Sequence, residues 1–189
     1  MFENTLKTVE GDCSRETVKA STDELVSFVG QTFQRLNEGE GPVTREVILE
    51  AMGSGADELR AMWEGLDANV NLDINYQMLV LHPDLVADAS FRIYKLTTAA
   101  NEGLTRRLGL DNIKDMKDLQ EKSNALAATF ASVNKELGVP TYDQEMMSRL
   151  STEHPEAIQK FVERIDKIQR EDRNNLDCAV DEPMLVGSE

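Results

Sequence analysis

From residue 116 to residue 137 the apolar side chains return every three or four positions without a break: Met116, Leu119, Leu126, Phe130, Val133 and Leu137, with polar Ser123 in the same series. That spacing matches the turn of an α-helix and no strand. It runs for about three heptads, enough to pack along a partner helix in the same chain or in a second copy, with Ser123 favouring one register. Gly138 and Pro140 close it. Helical hairpins in ordinary bundles use the same spacing, so a partner within the chain is preferred to a second copy.

The same grammar recurs along most of the chain. Ser21-Thr22-Asp23-Glu24 reads as a capping box, in which the hydroxyl and the carboxylate satisfy backbone N–H groups that a helix start leaves unpaired. A helix is expected after it, burying Leu25, Phe28, Val29, Phe33 and Leu36 and stopping over Asn37 to Pro42. A short second helix begins at Thr44 and buries Val47, Ile48 and Met52 before Gly53, and a third carries Leu59, Met62, Trp63 and Leu66 behind Asp57 and Glu58. Over Asp67 to Tyr76, Val70, Leu72, Ile74 and Tyr76 alternate with polar residues in strand rhythm. No partner strand is evident, so a turn into a short helix near Asp73, burying Ile74, Met78 and Leu81, is preferred. Asp67, Asn69 and Asn71 open like a calcium loop, but Leu72 stands where glycine is needed and Met78 where glutamate is needed.

After Pro83, the series Leu85, Ala89, Ile93, Leu96, Ala100, Leu104 and Leu108 predicts a long helix ending at Gly109. Thr141 to Gln144 is a second capping box, ahead of Met146, Met147 and Leu150, and a last helix follows Pro155 with Ile158, Phe161, Ile165 and Ile168 buried. His82-Pro83-Asp84 and His154-Pro155-Glu156 open two of these helices 72 residues apart, and Arg92-Ile93 and Arg164-Ile165 repeat the echo. Shared helix-start chemistry is preferred to an internal duplication, because the similarity fades on both sides. The expected fold is all-α: a bundle of about six to seven helices with one long coiled-coil-like helix and flexible termini. Residues 1–20 form a loose N-terminal segment, 21–173 a single helical domain open to division near 109–111, and 174–189 an acidic, flexible tail.

Charge limits the partners. The 189 residues carry 35 acids against 20 bases, net −15, which repels DNA and anionic membrane over most of the surface. Residues 21–70 sum to −7 and 171–189 to −5, whereas 91–108 reverse the sign to +3 through Arg92, Lys95, Arg106 and Arg107. Those four are the candidate anion or nucleic-acid contact, relevant if an oligomer repeats them. The start of the chain lacks the apolar stretch of a signal peptide, no run reaches the roughly 18 apolar residues of a membrane span, and Cys13 and Cys178 have no metal-type spacing. A cytoplasmic protein with free thiols is expected.

Reaction chemistry has no foothold in these patterns. Both histidines precede proline without a second ligand nearby, and Gly53-Ser54-Gly55 fits neither a phosphate loop nor a nucleophile elbow. No catalytic residue, cofactor-binding residue or metal ligand is assigned, and no cofactor is expected. The preferred function is a non-enzymatic acidic helical assembly or adaptor protein, self-associating through the helix read over 111–137 and docking on a protein with a basic surface. Two alternatives remain: an inhibitor whose carboxylates imitate nucleic-acid phosphates, and an oligomeric viral DNA-packaging or scaffolding subunit. A helical enzyme is the weakest reading.

Overall fold

Every regular element among the described residues is a helix, as the spacing requires. The computed structural model describes residues 1–64, 68–99, 106–107, 112–137 and 144–180, without the side chains of 68–73, 97–99, 144 and 174–180. Among the described residues nine helices are delimited: α1 (Glu3–Val9), α2 (Arg15–Glu38), α3 (Arg45–Met52), α4 (Ser54–Trp63), α5 (Ala68–Leu81), α6 (Pro83–Ala99), α7 (Met116–Leu137), α8 (Gln144–Glu153) and α9 (Pro155–Val180). The count exceeds the expected six to seven. The unforeseen element is α1; the breaks at Gly53, Pro83 and Pro155 fall where the sequence placed them. At Gly53 the backbone takes φ +59°, a left-handed value that glycine adopts without a Cβ clash.

Residues 1–20, expected as a loose segment, hold α1 and the first turns of α2. Ser14 is the N-cap of α2, its side chain accepting from the Thr17 N–H, so α2 starts well before the capping box at Ser21. Ser21 and Thr22 are buried inside the helix, and the Ser21 hydroxyl donates to Thr5 Oγ1 at 3.2 Å. Glu24 caps a different helix. Its carboxylate accepts from the backbone N–H groups of Asn4 at 3.0 Å and Thr5 at 2.9 Å, the open N–H groups of α1, whose own N-cap residue Phe2 supplies no side-chain acceptor. Phe2 completes the docking, 3% exposed and edge-on to Phe28 with ring centroids 5.1 Å apart.

Two apolar clusters organise the bundle. The larger joins α1, α2, α3, α4 and the end of α7 around Phe28, Leu36, Ile48, Leu59, Val133 and Leu137. Leu36, Ile48 and Leu137 are each at most 1% exposed, and burying such a side chain is worth roughly 1.5 to 3 kcal/mol. The smaller joins α5, α8 and α9 around Leu79, Met146 and Leu150, with Val86 of α6 against it. Each cluster draws on residues from both sides of 109–111.

Helix α6 lies between α2 and α9 and is fixed by ion pairs that alternate between them. Asp84 pairs with Arg15 and Arg92 with Asp23, both on α2; Asp88 pairs with Arg164 at 2.7 Å and Lys95 with Asp172 at 2.8 Å, both on α9. Residue numbers rise together in each set, so α2, α6 and α9 run parallel. Parallel neighbours cannot be joined by a tight turn. The intervening helices α3 to α5 and α7 to α8 provide the crossovers.

Several expectations within elements are corrected. Helix α5 begins at Ala68 and not near Asp73, and it buries Leu79 at 3% while Leu81 is 55% exposed. Met147 is likewise 39% exposed, and Met146 and Leu150 carry the packing of α8. Residues 174–180, expected as the start of a flexible tail, continue α9 as helix; the predicted end of a long helix at Gly109, residues 141–143 of the second capping box and residues 181–189 of the tail lie outside the described residues. The His-Pro echo is also an echo of local structure. His82 N–H donates to Met78 O and His154 N–H to Leu150 O, both at 2.9 Å, closing the preceding helix as the next begins. The side chains then differ: His82 Nε2 donates to Cys13 O at 2.9 Å, whereas the His154 ring sits edge-on to Tyr76.

Candidate interaction site

The 116–137 seam divides in two. At its C-terminal end Val133 and Leu137 are each 1% exposed, and Phe130 stacks on Phe33 of α2 with ring centroids 6.0 Å apart. This end packs across α3 and α4. At the other end Met116 is 77% exposed, Ser123 is exposed, and Leu119 and Leu126 are half-buried. A coiled coil along the whole helix is therefore not seen; α7 lies across two short helices instead of beside one long one.

An unpredicted carboxylate anchors the docked end. Glu136 of α7 pairs with Arg45 of α3 and with Arg60 of α4, the latter at 3.1 Å, and its side chain is 28% exposed. One carboxylate accepting from two guanidinium groups ties three helices at a point beside the apolar contacts of Val133 and Leu137. Nothing in the sequence marks Glu136, which lies 91 and 76 residues from its partners.

Three of the four basic residues expected to face an anion are engaged by groups of this chain. Arg92 and Lys95 are held by Asp23 and Asp172. Arg107 holds the end of α2 and the loop after it: Nη1 donates to Leu36 O, an open carbonyl of the last turn, while Nε donates to Gly41 O at 2.8 Å and Nη2 to Glu40 O at 3.0 Å in the loop that follows. Arg35 does the same for α3 through Ala51 O at 2.9 Å. Arg106 is exposed. Three of the four expected contacts thus serve the fold.

Comparison with protein-family models, with curated protein sequences and with solved structures finds no match. The local chemistry therefore carries the functional reading by itself. Lys19 at 2.9 Å and Arg92 both donate to Asp23, and these hydrogen bonds hold its carboxyl below the usual carboxylate range. Arg15 holds Asp84 below that range in the same way. At Glu24 burial opposes ionisation, but the donors on Asn4 and Thr5 outweigh it and its pKa is also lowered. Burial pushes the Cys13 thiol up, away from the reactive thiolate. Among the described residues no three His, Cys, Asp or Glu side chains gather where they could hold a metal ion, and no helix is long and apolar enough to cross a membrane.

Proposed function

We propose that this chain is a non-enzymatic acidic helical adaptor, acting through protein–protein contacts on a partner with a basic surface. The observation that carries the reading is electrostatic. The chain bears a net charge of −15, and its one basic segment is cancelled locally by Asp23 and Asp172 or used on backbone carbonyls through Arg107. A partner approaching from solution meets a negative field, which steers basic surfaces in and nucleic acid away. The test is affinity purification, identification of the bound protein, and reconstitution of a complex of defined mass at low and at high salt. A stoichiometric complex with a basic protein that weakens with salt is the expected result; direct binding of duplex DNA by the chain alone overturns the proposal.

A second reading is self-association, as in an oligomeric packaging or scaffolding subunit. The exposure of Met116 at the free end of the α7 seam favours it. Light scattering after size exclusion separates the two: a defined multimer that Met116→Asp dissociates supports assembly through this face.

A further inference from the structure

Between α1 and α4 the surface opens into a groove of about 400 Å³, lined by Phe2, Glu3, Leu6, Glu58, Ala61 and Met62, with Met1 at its edge. That volume falls within the roughly 300 to 1,000 Å³ of ordinary binding clefts. Its floor is continuous with the main core, since Phe2 packs on Phe28 and Met62 lies against the same cluster. Its edge is open to water: Leu6 is 43% and Met1 56% exposed. Apolar surface left open above a packed floor is what a partner helix covers, and methionine side chains adjust to the shape that arrives.

Charge selects the occupant. Glu3 and Glu58 are the charged side chains that line this groove, and no lysine or arginine does. The four other clefts described in the structure each contain at least one: Arg164 beside Asp88, Arg35 and Arg107 beside Gly39, Lys160 and Lys167 beside Leu81, Arg92 beside Gly30. Lys7 reaches Glu3 at 2.8 Å and the Met1 amino group reaches Glu58 at 3.0 Å. Both pairs are exposed, as are those of Arg92 and Lys95, and pairs of this kind contribute little to stability.

We propose that this groove docks a lysine- or arginine-rich amphipathic helix of a partner protein, with its apolar face against Leu6 and Met62 and its cations beside Glu3 and Glu58. The assignment rests on the adaptor reading above and names the surface that reading uses. The probe is a fluorescent amphipathic helical peptide of leucine and lysine, with a leucine–glutamate counterpart, titrated with the full chain at low and high salt. The wild-type chain binds the basic peptide in a salt-sensitive way and ignores the acidic one. Leu6→Lys, which removes the apolar contact and adds a like charge at an exposed site, raises Kd at least about tenfold. Val162→Lys on α9, where the replaced side chain is 50% exposed, leaves Kd unchanged. Equal effects of the two variants, or none from Leu6→Lys, overturn the groove assignment and leave the adaptor reading standing. Failure of the wild-type chain to bind the basic peptide overturns both.

Discussion

At the scale of single residues, the contacts that fix this protein are made by side chains whose partners are remote in sequence. Glu24 is the clearest case. It was legible as a capping acid, and it does cap, but the N–H groups it satisfies belong to Asn4 and Thr5 of α1. A short-range signature cannot tell which helix end a carboxylate will meet. Gly55 is a second case, for its absent side chain is the point. A Cβ there would lie 2.3 Å from Cε2 of Phe28, a buried ring packed edge-on against Phe2. Gly55→Ala is therefore expected to destabilise by about 1 to 3 kcal/mol, the usual cost of overpacking, although alanine is the better helix former. Chemical denaturation of the variant measures it, and an unchanged or raised midpoint would show that Phe28 can move aside.

At the scale of elements, the apolar periodicity located helices well and their neighbours poorly. The start at Thr44, the stop near Gly39 and the starts at Pro83 and Pro155 stand where their cap residues put them. The 116–137 seam shows the limit of that information. Its spacing is uniform along its length, yet only Phe130, Val133 and Leu137 reach the main core, because α3 and α4 are too short to line the whole of α7. The two ends should respond differently to the same change. Leu137→Ala is expected to cost about 2 to 5 kcal/mol, as buried leucine truncations do, whereas Met116→Ala leaves monomer stability nearly unchanged. Thermal unfolding followed by Trp63 fluorescence reads both, since the chain's one tryptophan packs against the same cluster. A large loss from Met116→Ala would place that end of the seam in an interface.

At the scale of the whole molecule, ion pairs bridge the parallel helices α2, α6 and α9, and carboxylates set the response to acid. Asp23, Glu24 and Asp84 all have lowered pKa values. A group that ionises more readily in the folded state contributes stability above its unfolded pKa and loses it as pH falls through its folded pKa. The melting temperature should thus be level between about pH 5 and 8 and drop below about pH 4. Circular dichroism melts across that range test this, and a midpoint already falling near neutral pH would mean that other groups control the fold.

What the sequence determined by itself is the all-helical class, the helix boundaries marked by Thr44, Gly39, Pro83 and Pro155, and the net negative charge. Those follow from local spacing, cap chemistry and a sum of charges, none of which needs a distant partner. Only the tertiary structure decided that residues 3–9 dock as a helix, that Arg107 holds the end of α2 and the loop after it, that Glu136 ties α7 to α3 and α4, and that an apolar groove with two carboxylates opens beside α1. Each of these pairs groups tens of residues apart. Spacing within one helix says which face is apolar, but which face meets which is settled by how all the faces can be buried together.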